Sequence, residues 1–424
     1  MVLNVVGEET AADSGQSMVV RRAGLRKVLL ITLIGRDFYL PDYLREHTDD
    51  LTVFAYQHSR TFLGGPPITS EHYLGGILRG RSALPTHFKS VILGLHRLNR
   101  AFLQMSVQVL IIWYVLKSRK HYDLCIASNT VDTIASFALK GLGAVGKVIS
   151  VTQDHIDFPT AVGVSALSDT IFRHLDRLSQ NHSDCVWYLS RGLLQTKLSY
   201  KFARNPRIPR IILSQPIDPT RAQRRSLNTA KRHLAVYAGR IDESSGLKLV
   251  MDALAGIVHS VPDARIKIFS VGSKEDVKQL LSHVRKLNLI GNIDFRGFVE
   301  SRDRMLDEMA ECAFGIAPQP PTRFMNKQPN AGKVKDYLSC GLPVLATEET
   351  SLSHEVAEAE AGLVVPYGLD ELKRGLYVLM TDEERLALYS RNAAELAKGY
   401  DYTRVFEAVF AESIGRMKVR GHGE

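Results

Sequence analysis

Three short segments hold the side chains with which this sequence could do chemistry. The first is AGR at 238–240, which ends an apolar run. Gly239 lets the backbone come close to a ligand, and Arg240 offers a multi-donor fork suited to a diphosphate. The second is PNAGKVKDYLSCGLPV at 329–344, which reads as a loop opening a helix from about Lys333. Free N–H groups at a helix start favour an anion, and Lys333 adds positive charge. Asp336 follows three residues later on the same helix face, where a carboxylate can clamp adjacent hydroxyls of a sugar or ribose. The third is VTQDHIDFP at 151–159, which supplies Asp154, His155 and Asp157. These are candidates to take the proton from an attacking acceptor hydroxyl. Plainer readings stand beside each: a solvated arginine, an ordinary charged helix face with a Gly-Pro stop, and turn or N-cap residues.

To position these groups the chain must alternate strands with helices. Apolar runs at 27–33, 51–56, 122–127, 148–152 and 185–189, with helical patterns such as 132–142 between them, predict a mostly parallel sheet. The rhythm breaks near 211–219, where prolines and then a basic polar stretch suggest a connection. A second set of strands follows at 234–237, 264–269, 293–295, 313–317, 344–346 and 363–365. Helical patterns at 247–261, 274–287, 303–310 and 333–339 separate them, and from 372 to about 416 the chain reads as almost wholly helical. The expected fold class is α/β, with two Rossmann-like doubly wound domains facing across a deep cleft. Their expected limits are 21–212 and 232–395, joined by a linker at 213–231. A loose tail at 1–20 precedes them, and a helical segment at 396–424 returns to brace the first domain. Ligands of open α/β sheets sit beyond the C-terminal ends of the strands, so the cleft is the expected site. Gly35, Arg36 and Asp37 form a first strand-to-turn junction that can face it. Glycines at 64–65 and 75–76 predict a long irregular region after the second strand.

Composition is globular, at 45% hydrophobic and 23% charged. The formal charge of +9 comes from 54 basic and 45 acidic side chains, which suits phosphorylated ligands or an anionic surface. No nucleic-acid-binding module shows in the spacing of the basic residues. Cys125, Cys185, Cys312 and Cys340 are too scattered for a structural zinc site and read as buried thiols of a reducing compartment. The first 20 residues hold Glu8, Glu9 and Asp13 and lack the pattern of a signal peptide. AFLQMSVQVLIIWYVL at 101–116 is uncharged, yet falls short of the roughly 20 residues of a spanning helix. It fits a buried core helix, or one lying on an anionic membrane face between flanking basic residues. The expected location is cytoplasmic, with peripheral contact at the inner face of the cell membrane as a further option.

The segments together resemble the two-domain glycosyltransferases of the GT-B type, especially glycosyltransferase family 4. The resemblance covers about 27–410 and is strongest in AGRIDESSG at 238–246, KVKDYLSCGLPV at 333–344 and GLVVPY at 362–367. It implies a nucleotide-sugar donor (a UDP- or GDP-sugar) held by Gly239, Arg240, Gln328, Lys333 and Asp336. Two positions depart from the family pattern: Ser245 stands where many members have lysine, and Gln328 where they have the first of two glutamates. The sequence is also similar to bacterial exopolysaccharide glucuronosyltransferases, whose first-domain aspartate base matches Asp154 and whose donor-helix lysine matches Lys333. That likeness implies transfer to a glycan or lipid-linked acceptor with inversion, Asp154 as base and His155 as its alternative, and no required metal or cofactor. Retaining transfer, a sugar-nucleotide epimerase and a non-catalytic nucleotide-sugar-binding subunit stay open as alternatives.

Overall fold

The computed structural model describes residues 19–22, 24–33, 39–56, 68–83, 100–153, 164–224, 231–299, 301–321 and 332–420. They form two α/β lobes, each around its own sheet. The first sheet contains β1 (Lys27–Leu33), β2 (Asp50–Tyr56), β3 (Ile68–Leu74), β4 (Ile77–Ala83), β5 (Tyr122–Ala127), β6 (Val145–Thr152), β7 (Cys185–Tyr188) and β8 (Arg210–Ile212), in the order β4-β3-β2-β1-β5-β6-β7-β8. All neighbours pair in parallel except β2–β3 and β3–β4.

The continuous apolar runs follow from burial on both sheet faces. Along β1, Val28 and Leu30 enter one core while Leu29, Ile31 and Leu33 enter the opposite one. The Arg100–Ser118 helix covers the second of these cores with Val107, Ile111 and Val115. Its other face leaves Val109 61% and Trp113 54% exposed, so it is a half-buried helix of the first lobe. No helix among the described residues is long and apolar enough to cross a membrane.

One sequence expectation needs correction. The region around Gly75 and Gly76 is an antiparallel hairpin at the sheet edge, where an irregular stretch was expected. Both glycines have positive φ, 55° and 82°, as tight two-residue hairpin turns require. The strand ILRGRSA that follows is exposed along its whole length, which removes the alternation that would have marked it.

The second sheet holds β9 (Lys231–Ile241), β10 (Arg265–Gly272), β11 (Ile293–Gly297), β12 (Cys312–Ala317), β13 (Val344–Thr347) and β14 (Gly362–Val365). Its order is β11-β10-β9-β12-β13-β14, all parallel. Along β9, Ala235 and Tyr237 face one core and Leu234, Val236 and Ala238 face the other.

The chain crosses between the lobes twice. The outward crossing runs from β8 through Ser214 and Gln215 to Ile217, and the return runs through Tyr400 and Asp401. The two are tied by Ile217 N–H donating to Tyr400 O (2.9 Å) and Tyr402 N–H to Ile217 O (3.0 Å). After the return, the Tyr402–Arg420 helix packs Phe406, Val409, Phe410, Ile414 and Met417 into the first lobe's core. There Trp187 meets Phe410 edge-on at 5.0 Å and donates its indole N–H to Ser413 Oγ (2.8 Å).

Candidate active site

The strand order of the second sheet decides where a ligand can lie. β9 and β12 are neighbours, and the chain departs from them towards opposite edges of the sheet. Their C-terminal ends therefore flank an open crevice at the topological switch point. Gly239 and Arg240 stand at the end of β9, and the Gly332–Ser339 helix follows β12.

Tyr337 fixes that helix. Its ring lies against Gly315 of β12, where any Cβ would overlap it. Its hydroxyl accepts from Ala238 N–H (2.9 Å) and donates to Ile316 O (3.0 Å), so one side chain registers the helix against both strand ends. The loop after β9 is fixed as tightly. Asp242 accepts from Ser244 N–H (3.0 Å), and Gly246 has φ 68° with its Cα against the Pro318 carbonyl. A Cβ there would collide with that oxygen in a backbone conformation that disfavours side chains. Gly246→Ala is expected to destabilise the second lobe by about 2–3 kcal/mol, read as a lower unfolding midpoint.

These constraints place Lys333 at the crevice. Its ammonium lies 4.9 Å from the centroid of the Tyr237 ring. A Cβ on Gly239 would stand 3.5 Å from the lysine Cε and Nζ, so the bare glycine makes the space the side chain enters. Burial pulls the Lys333 amine down to about 8, with the Asp242 carboxylate opposing the shift. Arg240, by contrast, reaches into solvent. Its side chain is 83% exposed, with Nε 3.4 Å from Asp242 Oδ2. The two cations thus flank Gly239 and share Asp242 as a charged neighbour.

Asp336, one turn along the same helix, faces Arg302 at the start of the Arg302–Ala310 helix, with an N–O distance of 2.6 Å. Burial pushes its carboxyl up to about 6 although the Arg302 guanidinium acts the other way. Its second oxygen has no partner among the described residues. Ser245, where many resembling sequences have lysine, is buried beside the loop and accepts from Leu247 N–H (3.3 Å). The structure thus brings Gly239, Arg240 and Lys333 together and sets Asp336 beside an arginine. Asp154, His155, Asp157, Gln328, Asn330 and the junction at 35–37 lie outside the described residues.

The first sheet has its own switch point between β1 and β5. There the fully buried Asp132 accepts from Tyr56 O–H (2.5 Å), Gln108 N–H (3.0 Å) and Asn129 N–H (3.0 Å). Gln153, the last described residue after β6, donates to Ser128 O (2.9 Å) in the same loop. Sequence reading took Asp132 only as a helix start. Its partners Tyr56 and Gln108 come from distant positions with no shared pattern, so nothing in the sequence marked the hub.

Residues 219–396 match the family described as Glycosyl transferases group 1. A phosphatidyl-myo-inositol mannosyltransferase of Mycobacterium leprae is 23% identical over 198 residues, 43% of this chain and 48% of that protein. The chain spans less than half the length of the curated relatives it matches. Among solved structures, α,α-trehalose 6-phosphate synthase from Burkholderia multivorans superposes with a TM-score of 0.61 at 14% identity, covering 94% of this chain and 98% of the other. Anabaena HepE in complex with UDP gives 0.53 at 16% identity, covering 93% and 100%. At such identities the superpositions establish the fold, and that fold spans both lobes. Residues 219–396, the stretch that matches the Glycosyl transferases group 1 family, make up most of the second lobe of a GT-B fold.

Proposed function

We propose that this chain is a glycosyltransferase that moves a sugar from a UDP- or GDP-sugar to a hydroxyl of a glycan or lipid-linked acceptor. One observation carries the reading. Lys333 is a largely buried cation at the switch point, with no carboxylate at ion-pair distance among the described residues. Burying an ammonium without a counter-charge is unfavourable, and a diphosphate at the crevice supplies one. The group 1 match and the UDP complex of the HepE structure favour the same ligand. The mannosyltransferase relative's name favours a lipid acceptor.

In this reading the donor diphosphate lies between Gly239 and the start of the Gly332–Ser339 helix. Arg240 swings in from solvent, Asp336 takes ribose hydroxyls through its open oxygen, and Gln328 meets the sugar as a neutral amide. Asp154, or His155 in its place, takes the acceptor proton as the acceptor oxygen attacks the anomeric carbon. The bond from that carbon to the diphosphate breaks, with inversion. The negative charge left on the diphosphate is stabilised by Lys333, Arg240 and the helix N–H groups.

A panel of nucleotide-sugars scored by thermal shift, followed by transfer assays with glycan and lipid-linked acceptors, tests the proposal. Selective stabilisation by one donor, with product formed only when acceptor is present, supports it. Conversion of a nucleotide-sugar with no acceptor would favour an epimerase, and binding without turnover would favour a non-catalytic subunit.

The acceptor side includes a surface suited to an anionic membrane. Val109, Trp113 and Leu116 form an exposed stripe on one helix face, and the Lys117 ammonium lies 4.9 Å from the Trp113 ring centroid. Apolar side chains with an interfacial tryptophan and adjacent cations match a peripheral helix. Sedimentation with vesicles of neutral lipid, with and without about 30% anionic lipid, checks it. Binding that needs the anionic lipid and is lost in Trp113→Asp is expected; equal recovery in all supernatants would remove membrane contact from the account.

A further inference from the structure

The donor helix carries a second buried lysine that the proposed chemistry does not use. Lys335 is 2% exposed and points away from the crevice, towards the place where the chain crosses between lobes. Its ammonium donates to Ser214 Oγ (2.8 Å) and to Gln215 O (2.6 Å) on the outward crossing. It also lies 4.3 Å from the ring centroid of Tyr400 on the return crossing. A lysine ammonium has three donor directions, and here they are taken by a hydroxyl, a carbonyl and an aromatic face. The crossings are themselves tied through Ile217. Gln215 also reaches the first residue of the donor helix, its Oε1 3.5 Å from where a Gly332 Cβ would stand.

We propose that Lys335 is the clasp that fixes the donor helix to both interlobe crossings, and so a positioning residue that sets the angle at which the lobes present donor and acceptor to each other. This rests on the glycosyltransferase reading for its consequence in turnover, but not for its consequence in lobe geometry. A solvated lysine would be less costly to keep than a buried one without a carboxylate, and three converging acceptors at a hinge give it a mechanical role. Misplacing reactants by an ångström lowers turnover while leaving donor affinity intact, because the donor site lies within one lobe.

Charge is part of the clasp. The groups that face Lys335 are the neutral Ser214 and Gln215, the Tyr400 ring and, through space, Glu355 of the Ser353–Glu358 helix. Burial pulls the amine down to about 7, and Glu355 opposes this. Loss of the proton above neutrality removes the attraction to the ring, so the lobes should loosen as pH rises.

The test uses the full chain with distance labels on cysteines introduced at the exposed Arg191 and Lys286, the four native thiols being buried. Lys335→Met is expected to broaden the interlobe distance distribution and lower kcat about tenfold, with UDP affinity within about twofold of the parent. Tyr400→Phe, which keeps the ring, should match the parent, and Tyr400→Leu should move towards Lys335→Met. In the parent the distribution should broaden between pH 6 and 8.5, and in Lys335→Met it should not. Should Lys335→Met fail to fold, Ser214→Ala gives the same shift in smaller measure. Unchanged distances in these variants, or UDP affinity falling in parallel with kcat, would overturn the clasp. Broadened distances in a protein that transfers no sugar would leave the clasp standing and remove the glycosyltransferase reading.

Discussion

Lys333→Met is expected to lower kcat/KM for sugar transfer by about 100- to 1,000-fold, the range seen when one preorganised charge-stabilising group is removed from a reaction centre. That corresponds to about 3–4 kcal/mol of lost transition-state stabilisation. Methionine keeps most of the stem that fills the space beside Gly239 and lies along the Tyr237 ring, so the change isolates the charge. The fold should be unharmed or slightly stabilised. The amine titrates near 8 in the folded chain and near 10.5 unfolded, so below pH 8 the empty protein keeps a buried charge that the unfolded chain holds more easily. Removing it relieves that penalty. An unfolding midpoint equal to or above the parent's, together with the large kinetic loss, would mark a residue kept for ligand and not for stability. Arg240→Met should have a smaller effect, since Arg240 stands in solvent and must be recruited.

The second large effect concerns the other lobe. Asp154→Asn should reduce turnover by about 100- to 10,000-fold, the usual contribution of a general base, with UDP affinity unchanged. Equal turnover would remove Asp154 as base and shift the role to His155, which His155→Gln would then reveal. The neighbouring chain suits this task. β6 delivers Gln153 to the C-terminal edge of the first sheet, and the bond from Gln153 to Ser128 O ties that exit to the switch point between β1 and β5.

Much of this was legible in the residues. Strands buried on both faces read as unbroken apolar runs, so KVLLITL and AFGIA stood out, and Pro318 marked the end of the second. Gly239 was read at the end of a strand and Lys333 at the start of a helix, and those are their places in the fold. The β3–β4 hairpin was hidden because an edge strand exposed on both faces carries no alternation. Asp242 and Arg302 were hidden for another reason. Each acts on a residue far away in sequence, Lys333 for Asp242 and Asp336 for Arg302, and only folding brings these pairs together. The two lysines of KVK show the limit most plainly. Two residues apart on one short helix, they meet different surroundings, one the crevice beside Gly239 and the other the crossings between the lobes, and the local sequence gives them the same appearance.

Proton uptake on UDP binding reports on the contact between Lys333 and a diphosphate. Calorimetric titration at pH 9, in two buffers of different ionisation heat, measures it without any acceptor or turnover. With its amine lowered to about 8, Lys333 is mostly neutral in the free protein at that pH, and a diphosphate beside it would restore the charge. Uptake of roughly one proton per UDP is expected, abolished in Lys333→Met, with affinity falling as pH rises through 8. Tight UDP binding with no proton uptake, and the same in Lys333→Met, would contradict that contact.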